Sequence, residues 1–269
     1  MPNGMRRVLL KLARRCRSWI VSTMRRLFYW KWVLHVRRCR EVTIPSDCKV
    51  TVVLTAYRKE RIGNLDPLVR SVLKCAFVEK VIVSNDNPQV RIADWVRVRD
   101  ERLVLLDQPV RRGCGNRWKL AWAEKAAYYL AIDDDILVYP GQLAQLFMHL
   151  INMPEVPHGL SGGTVPFQFH ERKEMAVDQL FEIYALTREH LRVYFDYLQE
   201  LAAQTVSQEG LCMSGDFVLI SHSGQGKPVI HDVGFISRCA TAYAEGVATF
   251  KEADFLRCVE ELRRFVGKA

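Results

Sequence analysis

The run Ala131-Ile132-Asp133-Asp134-Asp135-Ile136-Leu137-Val138 constrains this chain most. Three carboxylates stand where one apolar run stops, and another resumes directly after them. Tyr128-Tyr129-Leu130-Ala131-Ile132 has the composition of a buried strand. Setting ionised carboxylates against a core costs several kcal/mol unless something neutralises them. A divalent cation with hard oxygen ligands is the usual partner, and such a cation in turn binds phosphates. The alternative is a solvated acidic turn, but turns rarely sit between two such apolar stretches.

The segments before the triplet alternate strand and helix. Lys49-Val50-Thr51-Val52-Val53-Leu54-Thr55 is a β-branched run and reads as a buried strand. A polar loop, Ala56 to Arg61, leads to helical spacing at Leu65, Leu68, Val69, Val72 and Leu73. Val78–Ser84 is a second strand, closed by the turn residues Asn85-Asp86-Asn87-Pro88. Arg102–Leu106 is a third, and Asn116 to Tyr129 is expected to be helical ahead of the acidic strand. This alternation predicts an α/β layer with a largely parallel sheet. Ligands of such sheets bind at the carboxyl ends of the strands. Thr55–Lys59, Asn85–Asn87 and Asp133–Asp135 all fall there.

The second half is less regular. Helices are expected over Gln142–Leu150, Thr187–Gln204 and Glu252–Val266, and a strand over Val177–Leu186. Leu160-Ser161-Gly162-Gly163 is expected to be a turn or flexible loop. Gly224–Lys227 marks a turn before the short apolar stretch that precedes His231.

Charge separates a leading segment from the rest. The chain has 269 residues and a net charge of +9, with ordinary hydrophobic (49%) and charged (26%) content for a globular protein. Residues 1–48 alone carry twelve Lys/Arg against two Asp/Glu, so the remainder is close to neutral. Leu9, Leu12, Trp19, Ile20, Leu27, Phe28, Trp30 and Trp32 are interleaved with that basic charge. Arg25-Arg26 and Lys31 interrupt the best apolar stretch, so no run reaches the length needed to span a bilayer. No clean apolar stretch precedes a small-residue cleavage site, which argues against a signal peptide. The composition suits an amphipathic helix on an anionic membrane surface. A nucleic-acid-binding arm is disfavoured, and a helix docked on the body is a further reading. Residues 1–48 are therefore expected to form a membrane-surface segment and residues 49–269 a single domain. The eight cysteines form no Cys-x-x-Cys pair, which fits reduced thiols and a cytoplasmic protein at the inner face of the membrane.

Taken together, these segments resemble GT-A glycosyltransferases, and within them the exostosin-like family. The resemblance rests on Val52–Arg58, Lys80–Val83 with the following Asn/Asp, Asn116-Arg117, Ile132–Asp135, Ser214-Gly215-Asp216, Gly226-Lys227-Pro228 and His231. It covers roughly residues 50–240. It implies a GT-A fold: a Rossmann-like mixed sheet flanked by helices. It also implies a UDP-sugar donor, a glycan or lipid-linked acceptor, and Mn2+ or Mg2+ as cofactor. The expected setting is cell-surface polysaccharide synthesis with retention of configuration.

By that resemblance, Thr55, Tyr57 and Lys59 hold the base, and Asp86 and Asn87 hydrogen-bond the base or ribose. Asn116 and Arg117 contact nucleotide and diphosphate, where a guanidinium fork suits phosphate. Asp133 and Asp134 contact ribose or sugar hydroxyls. Asp135 ligates the metal, with Asp133 and His231 as further ligands. Asp216 is the acid near the anomeric carbon, although it also suits a helix N-cap. The family usually carries two acids there, and Gly215 replaces the first. An inverting transferase with Asp216 as general base is one alternative. Another is an inactive transferase-like body that binds membrane or nucleic acid. Arg238 lies either at the diphosphate or on the surface.

Overall fold

The structure is a computed structural model that describes residues 3–203, 215–244, 247 and 253–267, with side chains from Ile20 in the first helix and from Phe255 in the last. Cys212, Ser214, Glu252 and the side chains of residues 3–19 therefore lie outside the described part.

Eleven strands are described. The first four are β1 (Val50–Ala56), β2 (Val78–Asn85), β3 (Leu103–Asp107) and β4 (Tyr128–Asp133). They are followed by β5 (Ile136–Leu137), β6 (His158–Thr164), β7 (Gln168–Glu171), β8 (Met175–Ala176), β9 (Gln179–Thr187), β10 (Val229–Ile230) and β11 (Ser237–Arg238). Nine of them make one sheet in the order β3-β2-β1-β4-β9-β6-β10-β8, with β7 on β6; β5 and β11 form a separate pair. The first half is parallel: β1 lies between β2 and β4 with Thr55 level with Ser84 and Asp133. The sequence expectation for this half holds, including its third strand. One boundary shifts, because the helix expected over Asn116–Tyr129 stops at Ala123 and Tyr128 already belongs to β4.

The second half is antiparallel around β9, which pairs with both β4 and β6. Here the expected turn at Leu160–Gly163 is instead the middle of β6. Its glycines reflect crowding, not turning. A Cβ on Gly162 would stand 2.5 Å from the Gln179 carbonyl oxygen, and one on Gly159 would stand 2.9 Å from that of Ile183.

Helices cover both faces: α1 (Asn3–Arg38), α2 (Lys59–Ile62), α3 (Leu65–Leu73), α4 (Asn116–Ala123), α5 (Pro140–Asn152), α6 (Arg188–Ala203), α7 (Asp216–Ser221) and α8 (Ala253–Val266). In α3 the apolar residues at 65, 68, 69, 72 and 73 share one side, and all are buried. Arg70 and Asp66, one turn apart, pair at 2.8 Å on its outer side. Side chains from α1, α3 and α5 fill one core and those from α4, α6, α7 and α8 fill the other. The sheet separates the two.

The leading segment is not detached. Trp32, Val33 and Val36 are buried in the same core as β1 and α3. Trp32 donates its indole N–H to the Val138 carbonyl at 3.0 Å, and Ser71 donates its hydroxyl to the same oxygen at 2.7 Å. The outward side of α1 carries Ile20, Met24, Leu27, Trp30 and Leu34, all exposed. No helix among the described residues is long and apolar enough to cross a membrane.

Candidate functional site

The C-terminal ends of β1, β2 and β4 open into a crevice. It is lined by Thr55, Tyr57, Asp86, Arg117, Asp133 and Asp134 among the expected residues, together with Arg58, Arg61 and Arg111. Four guanidiniums and three carboxylates thus face one space. Tyr57 is flanked by cations: the Arg111 guanidinium lies 4.1 Å from its ring centroid and that of Arg58 lies 5.1 Å away.

Each polar residue has a structural reason for its place. Asn87 donates its side-chain amide to the Tyr57 carbonyl at 3.0 Å, which ties the end of β2 to the end of β1. Asp86 accepts the Arg112 backbone N–H at 3.2 Å and so holds the loop before α4 against the sheet. Burial pushes the Asp86 carboxyl upward, and the Arg112 and Gly113 amides oppose that shift. Asn116, at the first position of α4, keeps its side-chain amide nitrogen buried with no hydrogen-bond partner among the described residues. A buried orphan donor of this kind is unusual, and Asn116 does not itself line the crevice. Lys59 is exposed on α2 and does not line the crevice.

The acidic triplet finds its charge partners in arginines. Arg117 donates to Asp133 at 2.6 Å. Arg61 reaches Asp134 at 3.3 Å and Asp135 at 2.9 Å, and also donates to the Ala242 carbonyl at 3.1 Å. Burial pushes Asp134 up to about 6, with Arg61 opposing and Asp133 adding to the shift. Burial likewise raises Asp135 well above the ordinary carboxylate range, again against Arg61. Arg117 is deeply buried; burial works against its charge, and Asp133 and Asp216 outweigh it to keep the guanidinium protonated.

The metal expected of this triplet can be tested against these donors. Asp134 and Asp135 share one guanidinium, and Asp133 is bound to another. Among the described residues, three ligand atoms converge at His149, Glu174 and His231 and not at the triplet. As arranged, the triplet does not fit a metal centre, because two guanidiniums already occupy the role the sequence reading gave to the cation.

Asp216 does not line the crevice. It is the first residue of α7, buried, and accepts the Trp118 indole N–H at 2.8 Å; Arg117 Nε is 3.6 Å away. Burial raises its carboxyl, and Arg117 opposes the rise. Asp216 and Asp133 thus both contact Arg117, Asp216 at Nε and Asp133 at a terminal nitrogen.

His231 also stands apart from the triplet. It follows β10, which lies three strand positions from β4, roughly 14 Å at the usual strand spacing. Its neighbours are His149, His158 and Glu174. Burial, followed by the nearby His149 and His158, lowers its imidazole to about 4.

Several participants were not singled out in the sequence. Arg61 lay in the expected polar loop, one helical turn past Tyr57, and spacing alone gave it no role. Glu182 has φ of +66°, a left-handed conformation inside β9, where the register against β6 skips a residue. There it accepts the Ser161 hydroxyl at 2.8 Å and pairs with Arg238 at 2.6 Å. Arg238 is buried between Glu182 and Glu171 and belongs neither to the surface nor to the crevice lining.

Strand order, flanking helices and a crevice at the strand ends define the GT-A fold. A solved structure that shares it is GalNAc-T7, determined with UDP, GalNAc and Mn2+, with a TM-score of 0.55 at 11% sequence identity. The likeness covers 79% of this chain and 48% of that one, so the chain spans about half the length of this neighbour. No family model matches the chain, and no curated protein matches it.

Proposed function

We propose that the chain is a glycosyltransferase that binds a UDP-sugar in the crevice at the ends of β1, β2 and β4 and passes the sugar to a glycan or lipid-linked acceptor. The observation that carries this reading is the convergence of Tyr57, Asp86, Asp133 and four arginines on one crevice of a GT-A fold. Tyr57, with the Arg111 guanidinium over its ring, forms the wall against which a base would pack. Arg117, Arg61 and Arg111 offer forked donors to a diphosphate, whose charge grows as the sugar leaves. Asp133 and Asp134 accept from ribose or sugar hydroxyls.

Asp216 acts in this scheme as a positioning residue for Arg117. Its carboxylate is engaged by Trp118 and Arg117 and is not part of the crevice lining. That favours retention, with the departing phosphate taking the acceptor proton, over an inverting reaction that needs an accessible carboxylate base. The exposed row on α1 would lie on an anionic bilayer and bring the crevice to a lipid-linked acceptor. Leu27→Asp is expected to weaken binding to anionic vesicles roughly fivefold at unchanged melting temperature.

A thermal shift with a panel of nucleotides, each with Mn2+ or with EDTA, tests the donor site. UDP is expected to raise the melting temperature, and one UDP-sugar is expected to release UDP on incubation with acceptor extracts. No shift with any nucleotide refutes the reading. A shift with no turnover supports a second reading, a donor-binding body that does not transfer sugar, which Gly215 and the enclosure of Asp216 favour.

A further inference from the structure

A second cluster of ligating side chains lies in the other half of the sheet, outside the crevice. His149 projects from α5, Glu174 from the link between β7 and β8, and His231 from the end of β10. One ligand atom from each lies within 4.8 Å of the others. The His149 and His231 rings are stacked, parallel to within 12° with centroids 3.7 Å apart, so the half-buried His149 must turn about its side-chain bonds for both in-plane lone pairs to meet one ion. His231 Nδ1 is 3.1 Å from Glu174 Oε1. Two nitrogens and an oxygen on a tetrahedral zinc ion stand roughly 3.3 Å from one another, given zinc–ligand bonds of about 2.0–2.2 Å.

The proton positions sharpen this geometry. The Met153 carbonyl can only accept, so His158 donates to it from Nε2 at 2.7 Å. A neutral His158 then presents a lone pair at Nδ1, and His231 must donate to it from Nε2, 2.7 Å away. A neutral His231 is left with its lone pair on Nδ1, aimed at the Glu174 carboxylate. Two lone pairs at 3.1 Å repel unless a proton or a metal ion lies between them. A metal takes the neutral ring through that lone pair. The chain from His231 through His158 to a backbone carbonyl is the outer-shell arrangement that fixes a ligating imidazole in one tautomer and orientation.

We propose that His149, Glu174 and His231 bind one zinc-type dication, with His158 as the outer-shell partner of His231. Water completes the coordination on the open side, where Glu174 is exposed. The ion ties the β7–β8 link to α5 and adds to the pairing of β8 with β10, in which Met175 lies opposite Ile230. Its role is structural, and it is distinct from any cation that accompanies a sugar nucleotide.

The full chain, stripped with a chelator and re-supplied with zinc, tests this. Metal analysis after gel filtration is expected to give about one zinc per chain. Zinc absorption spectra are expected to show two imidazole nitrogens among oxygen ligands. Zinc at a hundredfold excess over Kd should raise the melting temperature by roughly 5 °C. Glu174→Gln and His149→Asn alter groups with access to solvent, so each should keep the melting temperature of the stripped wild type. Each should bind zinc at least about tenfold more weakly. Failure of the stripped wild type to take up zinc overturns the proposal. So does uptake that both variants leave unchanged.

Discussion

At the end of β4, three carboxylates share two guanidiniums. Three strand positions away, two imidazoles and one carboxylate face one another. Both groups crowd electron-rich atoms at the margin of the same sheet, and the difference lies in where the cation comes from. The crevice carries its positive charge in the sequence, on Arg61 and Arg117, which reach Asp133, Asp134 and Asp135 at 2.6–3.3 Å. The histidine group has a lone-pair chain that ends on an open carboxylate. Fixed positive charge in a crevice suits an anion that comes and goes. A lone pair aimed at a carboxylate suits an ion that stays.

The largest effect should follow from removing a resident cation. Arg117→Ala leaves Asp133 and Asp216 without their buried partner and is expected to cost about 3–5 kcal/mol of stability in chemical denaturation. Arg117→Lys should recover part of this but not the protection by UDP, since an ammonium cannot span two carboxylates as a fork does. Undiminished stability in Arg117→Ala would break the comparison on its crevice side.

The next effect separates the two places. Arg61→Ala removes a charged donor from the crevice and should weaken UDP binding about 10- to 100-fold, with zinc content unchanged. Glu174→Gln should do the reverse, losing zinc while keeping its response to UDP. If either change moves both readouts, the two groups are coupled and the contrast between them fails.

The smallest effect is a pH dependence. The Asp134 carboxyl is raised from 3.8 to about 6. A raised acid contributes most to stability below its unfolded value, and that contribution is lost as pH rises through about 6. Asp134→Asn should therefore gain on wild type between pH 5 and pH 8, by about 2 kcal/mol at most. Melting curves of both proteins across that range give the difference directly. A constant difference would mean that Arg61 fully offsets the burial of Asp134.

How far the sequence carried the reading follows the same division. The parallel half is local in character: β-branched runs, one helix between each pair, and polar residues just past each strand. Its strands and the place of its crevice were legible for that reason, and half of the residues that line the crevice had been singled out. The antiparallel half depends on contacts between distant segments. Glycines that look like a turn in sequence are there because β9 crosses β6 too closely for a side chain. The acid triplet was visible, but its partner was not. Arg61 comes from a four-residue helix more than seventy positions earlier, and only the closed sheet sets it beside Asp135. His231 was expected to ligate a metal with Asp135 and Asp133, from which the sheet sets it apart, and its neighbours on α5 and after β7 carry no spacing that links them.

The hydrogen bond from Trp32 to Val138 joins the first helix to the residue three places beyond Asp135. Together with the burial of Trp32, Val33 and Val36 in the shared core, it fixes the end of the helix to the segment that carries the acids. Whatever surface the helix rests on sets the angle at which the crevice meets that surface, much as a keel sets the trim of a hull. An acceptor carried in a membrane would then arrive at a fixed height and heading, chosen by an indole more than a hundred residues away from the acids it serves.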